Sequence, residues 1–322
     1  MQFRTEFKID PLDEKINYRC SLLFTGSCFS EEIGARCNDL KFKILQNPGG
    51  IIYNPFSLAT ELKYYTGEIQ FNSNDLFQSA GLFRHFDFHS DLAAPEKSIA
   101  ENNIGYAIER ANAFLKNATH ILITFGTSVI YKLNNGKIAA NNHKLPAGNF
   151  IKSQSEVIEI LDVWQPLVHK LVSLNPGVKI IFTVSPVRHI KDGFPENQIS
   201  KSTLLLAVKE MLKWPQTYYF PAYELMMDDL RDYRFYKSDL IHPNAMAVDY
   251  IFEKFVDACI EPAVYPVMEL MREIQSAKNH RPFFPETEDH KMFAAKMFLK
   301  VKSLQDKYPE IDLSEEMEYF NK

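Results

Sequence analysis

Little in this chain speaks for disulfides, membranes or nucleic acid. Four cysteines, Cys20, Cys28, Cys37 and Cys259, are spread over 322 residues, and their spacing fits neither a disulfide framework nor a zinc site. No apolar run is long enough to span a bilayer, so no membrane partner is expected. The first residues, Met1 to Lys8, contain no apolar h-region, so no signal peptide is expected and a reducing cytoplasm is the default compartment. The net charge is −5 with the two signs mixed along the chain, which gives no concentrated basic surface for nucleic acid. Internal repeats and low-complexity tracts are also missing. What remains is 46% hydrophobic and 24% charged, enough for one large α/β domain or a domain with an appendage.

Five segments read as buried parallel strands: Cys20–Thr25, Lys43–Leu45, His120–Phe125, Val178–Val184 and Thr217–Phe220. Ile121 to Phe125 and Ile180 to Val184 are near-continuous apolar runs, as strands covered on both faces require. Amphipathic stretches lie between them, at Phe29–Leu40, Pro55–Tyr65, Glu101–Asn117, Glu156–Leu174, Lys201–Lys213 and Ala245–Ile260. This alternation predicts a doubly wound three-layer α/β/α sandwich. Residues 66–98 read as an insert, and residues 128–141 as a β-hairpin turning at Asn134-Asn135-Gly136. Beyond residue 262 only helical patterns recur, at Val267–Lys278, Glu288–Tyr308 and Ser314–Tyr319, broken at Arg281-Pro282-Phe283-Phe284-Pro285. The expected division is therefore a domain over 1–262 and a helical C-terminal extension over 263–322.

Chemistry concentrates in two places. Ser27 follows an apolar strand through Gly26 and precedes a helical pattern, so it falls at the carboxyl edge of the sheet and at a helix N-terminus. Serine is also a favoured helix cap, the bland alternative at this position. Far downstream, Asp239 and His242 are three apart, followed by Pro243 at a helix start. A hydroxyl, an imidazole and a carboxylate are the parts of an activated acyl-transfer nucleophile.

Ser27 lies in Gly26-Ser27-Cys28-Phe29-Ser30, and further blocks follow in order: Asn47 to Pro55, Thr124-Phe125-Gly126-Thr127, Asn141 to Pro146, Ser185 to His189, and Asp232 to Pro243. In these blocks, over most of residues 1–260, the chain resembles the GSCFA family, a branch of the SGNH (GDSL-like) hydrolases; Ser30 stands where the naming motif ends in alanine. The resemblance implies a flavodoxin-like SGNH fold with Ser27 as nucleophile, His242 as general base then acid, and Asp239 as the orienting carboxylate. It also implies an oxyanion hole from the Ser27 N–H and a glycine N–H, Gly50 or its neighbour Gly49. The third donor in such enzymes is an asparagine side chain. Here that block reads Gly126-Thr127-Ser128, so Thr127, Ser128 or Asn141 is left to substitute. The implied activity is a serine esterase or acyltransferase on a small-molecule or carbohydrate ester, acetylated sugar among them, with no metal and no cofactor.

Asn141, His143, Arg188, His189 and Asn197 are candidate substrate-binding residues because they lie near strand ends. His143 is favoured over a structural role by its flanking amides and lysine. Lys201 fits either the crevice or a solvated helix face. His85 and His89 invite a metal reading but lack a third ligand, and Cys28 is a rival nucleophile without a cue for a lowered thiol pKa. Two rival functions stand beside the esterase: a binding or assembly protein on a degenerate hydrolase fold, and a metal-dependent hydrolase using His85 and His89.

Overall fold

The computed structural model describes residues 5–6, 8–280 and 283–321. The readings of Met1–Arg4, Phe7 and the Arg281-Pro282 step lie outside the described residues.

In chain order the first elements are β1 (Ser21–Gly26), α1 (Cys28–Asp39), β2 (Lys43–Gln46) and α2 (Pro55–Thr66). The insert follows as β3 (Phe77–Ser79) and β4 (Leu82–Arg84), then α3 (Lys97–Leu115), β5 (His120–Phe125), β6 (Val129–Leu133), β7 (Ile138–Ala139) and β8 (Phe150–Gln154). The second half holds α4 (Val157–Leu174), β9 (Lys179–Val184), α5 (Phe194–Met211), β10 (Thr217–Tyr219), the short α6 (Ala222–Glu224) and α7 (Ala245–Cys259). The C-terminal elements are α8 (Tyr265–Asn279), α9 (Glu288–Lys307) and α10 (Ser314–Phe320).

The central sheet is wholly parallel, in the order β10-β9-β5-β1-β2. Counting only its own five strands, this is the flavodoxin-like order 2-1-3-4-5. Period-two alternation divides the apolar strand residues between two cores. Leu22, Phe24, Leu122 and Ile181 face a cluster built with α1, α7 and α8. Leu23, Ile121, Ile123, Ile180 and Phe182 face a cluster built with α2, α3, α4 and α5. Both faces are therefore covered, which is why the middles of the strands are apolar on both sides. Trp164 is fully buried in the second cluster, its indole N–H donating to the Pro55 carbonyl at 3.1 Å, and Trp214 packs against the same cluster.

The C-terminal helices do not stand apart. Met268, Met271, Ile274, Met297, Val301, Leu304 and Phe320 join the first cluster. The buried Glu316 carboxylate of α10 pairs with Lys41, on the turn between α1 and β2, at 2.6 Å and with Lys278 of α8 at 3.3 Å.

Two elements differ from the sequence pattern. The hairpin carries an extra strand, β8, antiparallel to β6, giving a three-stranded sheet in the order β7-β6-β8. Helix α5 begins at Phe194, seven residues before the expected Lys201. Its first turns bury Asn197, Ser200 and Lys201, so the stripe facing the core starts polar and turns apolar only from Leu204.

Candidate active site

Ser27 is fully buried at the start of α1, with extended backbone angles and its N–H donating to the Thr124 carbonyl at 3.2 Å. Its hydroxyl does not cap the helix and has no hydrogen-bond partner among the described residues. A buried hydroxyl left in that state is uncommon and needs an explanation. The strand-to-helix turn is tight because Gly26 takes φ +133°, and a Cβ there would lie 2.3 Å from the Thr124 carbonyl oxygen.

Polar groups brace this turn from below. The Gly26 N–H donates to the Asn47 side-chain carbonyl at 3.0 Å. Glu61, on the buried stripe of α2, accepts from the Thr25 hydroxyl, from the Tyr65 hydroxyl at 2.8 Å and from the Gly49 N–H. Burial pushes its carboxyl up to about 7, against the pull of those three donors. Glu61 thus joins the strand that leads into Ser27 to the Gly49-Gly50 loop. The sequence reading missed it, although a lone carboxylate among Leu58, Leu62 and Tyr65 was a visible signal.

Asp239 and His242 are held together on an exposed loop. One Asp239 oxygen accepts from the Ile241 and His242 N–H groups at 2.9 and 3.0 Å, and the other lies 2.7 Å from His242 Nδ1. The two backbone donors, then the imidazole, hold the carboxyl well below the usual carboxylate range. Both side chains are about two-fifths exposed, at 44% and 41%. Leu240 between them takes φ +58°. Arg188 secures the loop by donating to the Leu240 carbonyl while its guanidinium lies over the Tyr236 ring, 4.3 Å from the centroid.

A cavity of about 480 Å³ is lined by Cys28, Tyr53, Thr127, Asn141, Arg188, His189 and His242. A second cleft of about 340 Å³ is lined by Cys28, Asp239 and His242. Ser27 lines neither; its neighbour Cys28 lines both. Burial, then Glu31 and Glu32, pushes the Cys28 thiol up, which disfavours the thiolate a rival nucleophile would need.

The anticipated backbone oxyanion donors are occupied. The Gly50 N–H donates to the Asn47 carbonyl at 2.8 Å and the Thr127 N–H to the Tyr53 carbonyl at 3.1 Å. The Thr127 hydroxyl is bonded to Ser200 at 3.0 Å and to the Val129 N–H at 3.1 Å. Gly49 is spent on Glu61. The Cys28 and Phe29 N–H groups, the first two of α1, have no backbone acceptor, as at any helix start.

Among the proposed binding residues, Asn141, Arg188 and His189 line the cavity. His143 does not. Its ring nitrogens lie 2.9 Å from the Ser90 hydroxyl and 2.9 Å from the His85 carbonyl, so it joins the insert to the hairpin. Burial lowers its pKa to about 4. The flanking amides that favoured a binding role serve this packing, Asn141 accepting from the His143 N–H at 2.7 Å. Asn197 is also withdrawn, its buried side chain accepting from the His189 N–H at 2.8 Å. Lys201 is not on a solvated face. Its fully buried ammonium donates to the Gly126 and Ser185 carbonyls, 2.7 Å each, and burial lowers its pKa to about 7. It ties the ends of β5 and β9 together beside the cavity.

His85 is buried and His89 packs against Gly50, where φ is +86° and an added Cβ would lie 2.1 Å from the His89 Cβ, so only glycine fits. Among the described residues no three or more His, Cys, Asp or Glu side chains are grouped so as to hold a metal ion. None of the helices, among the described residues, is long and apolar enough to cross a membrane.

A family model described as the GSCFA family matches residues 21–255, and a second, described as the GSCFA domain protein C-terminal domain, matches residues 271–322. No curated protein matches. A solved carbohydrate esterase family 3 protein from Talaromyces cellulolyticus aligns at 8% identity over 79% of this chain and 99% of its own, with a TM-score of 0.35. At that distance no residue and no activity is carried across.

Proposed function

The chain belongs to the GSCFA family, and we propose that it is a serine-dependent ester hydrolase or acyltransferase of the SGNH type, with Ser27, His242 and Asp239 as its working groups. The observation that carries this is the Ser27 hydroxyl, buried and unpartnered at a helix start where a capping serine would be bonded. The Asp239–His242 pair adds the base and its orienting carboxylate, with His242 on a cavity also lined by Cys28, the residue after Ser27.

In the proposed reaction Ser27 Oγ attacks the ester carbonyl carbon as its proton passes to His242 Nε2. Asp239 holds the proton on Nδ1 and steadies the imidazolium. The tetrahedral oxyanion gathers at the start of α1, where the Cys28 and Phe29 N–H groups and the helix dipole favour negative charge. His242 then protonates the leaving alkoxide as the carbonyl reforms. Water or an acceptor hydroxyl, deprotonated by His242, releases the acyl group from Ser27. A small acyl ester fits a 480 Å³ cavity with Asn141 and Arg188 in its lining. Acetylated carbohydrate is one such substrate, and transfer differs from hydrolysis only in the acceptor.

A second reading has its own observation. Ser27 is shut from solvent and each anticipated backbone donor has an acceptor, as a binding protein on a disused hydrolase fold would allow. A fluorophosphonate probe separates the two. Wild type is expected to label and Ser27→Ala not. Turnover of p-nitrophenyl acetate should fall about 10²–10⁴-fold in His242→Ala. A folded wild type that neither labels nor turns over any p-nitrophenyl ester sinks the enzyme.

A further inference from the structure

We infer that His189 is a catalytic residue of this site, donating a hydrogen bond from its Nε2–H to the oxyanion that forms when Ser27 attacks. This rests on the serine chemistry proposed above and adds a group to it.

The inference comes from accounting for donors. A tetrahedral oxyanion formed away from water needs preorganised N–H or O–H groups. The Ser27, Gly49, Gly50 and Thr127 N–H groups all have acceptors, and the Thr127 hydroxyl is shared between Ser200 and the Val129 N–H. Lys201 spends two of its protons on the Gly126 and Ser185 carbonyls, and the third lies on the side of the Tyr223 ring. Arg188 Nε is also buried without a partner, but its guanidinium is held by the Leu240 carbonyl and lies over the Tyr233 and Tyr236 rings. The Ser128 hydroxyl is buried without a partner but lines neither cavity, and the Cys28 and Phe29 N–H groups at the start of α1 remain for His189 to act beside. His189 lines the cavity with Cys28 and His242, and its Nε2 is buried without a partner.

Its placement is fixed. The Asn197 side-chain carbonyl takes its backbone N–H at 2.8 Å, and the ring stands nearly edge-on to Tyr53, centroids 5.6 Å apart. The Tyr53 carbonyl accepts from Gly126 and Thr127, so one residue aligns both the imidazole and the end of β5. Burial and the neighbouring Lys201 ammonium both disfavour the imidazolium and lower the pKa to about 4. The ring is therefore neutral at working pH and has one N–H to give. His242, exposed and beside Asp239, is built for moving a proton; His189 is built for keeping one.

The test uses the full chain and p-nitrophenyl acetate, comparing wild type, Ser27→Ala, His189→Phe and His189→Asn, with thermal melts as the check on folding. His189→Phe keeps a ring against Tyr53 and loses the donor; its kcat should fall about 10²–10³-fold with KM within about threefold. His189→Asn returns an amide donor and should recover at least about tenfold over the phenylalanine variant. Because the donor is neutral, the wild-type to His189→Phe ratio should hold constant from about pH 6 to 9. A His189→Phe enzyme within about threefold of wild type, while Ser27→Ala is dead, overturns the role of His189 and leaves the serine mechanism standing. A wild type without Ser27-dependent turnover overturns both.

Discussion

Ser27 and His242 occupy parts of the molecule built in opposite ways. The serine ends a strand fully covered on both faces, and the turn beneath it is pinned by Asn47, Thr124 and, through Thr25, by Glu61. The histidine rides a loop whose aspartate and imidazole are about two-fifths exposed, fastened mainly by its own backbone and by one arginine. In the proposed mechanism, tight packing falls where a bond would form, and exposure where a proton would be collected and handed on. The buried side carries much of the stability, and the exposed side can be altered at little structural cost.

The sharpest way to break this contrast is Asp239→Asn. The amide can still accept from the backbone but leaves the imidazole in the wrong tautomer, so kcat should drop about 10³–10⁴-fold while the melting temperature stays put. A large loss of stability would show that the loop is structural after all. Next comes Glu61→Leu, which strands the Thr25, Tyr65 and Gly49 donors in an apolar core and should lose about 3–5 kcal/mol in chemical denaturation. Glu61 also has a pH signature. Its folded pKa is raised by burial, from the ordinary carboxylate range to about 7, so the folded state binds the proton more tightly. Wild type should therefore lose stability as pH rises through that window, and Glu61→Gln should flatten the slope. The smallest effect is expected from Arg188→Met. Loss of the Leu240 bond and the tyrosine stacking should lower kcat about tenfold and cost about 0.5–1 kcal/mol of stability. Equal kinetic damage from Arg188→Met and Asp239→Asn would mean that the loop depends on its arginine more than on its own turn.

Much of the architecture was legible. Strands buried on both faces must be largely apolar, and the five central strands were found within a residue or so at each end. Ser27 stands out in the sequence because it sits at a strand-to-helix boundary, where chain punctuation is strongest, and Asp239 and His242 because they are three apart just before a helix. What escaped was buried polarity. Lys201 looks like a solvated lysine until Asn197, Ser200, Lys201, Leu204, Val208 and Met211 are seen as one helical stripe. Glu61 hid in the same manner on α2. His143 misled because its amide-rich setting resembles a binding loop, whereas its partners, Ser90 and the His85 carbonyl, lie more than fifty residues away in sequence. Strand β8 was missed because only one of its five residues, Phe150, is buried.

The placement of the two tryptophans has a practical consequence. Trp164 and Trp214 belong to the cluster under α2 to α5, and the cluster shared by α1, α7 and the C-terminal helices contains none. Intrinsic indole emission therefore reports the melting of one half of the sandwich and is blind to the other, so a fluorescence trace and a circular dichroism trace that part company would time the release of the tail against the loss of the sheet.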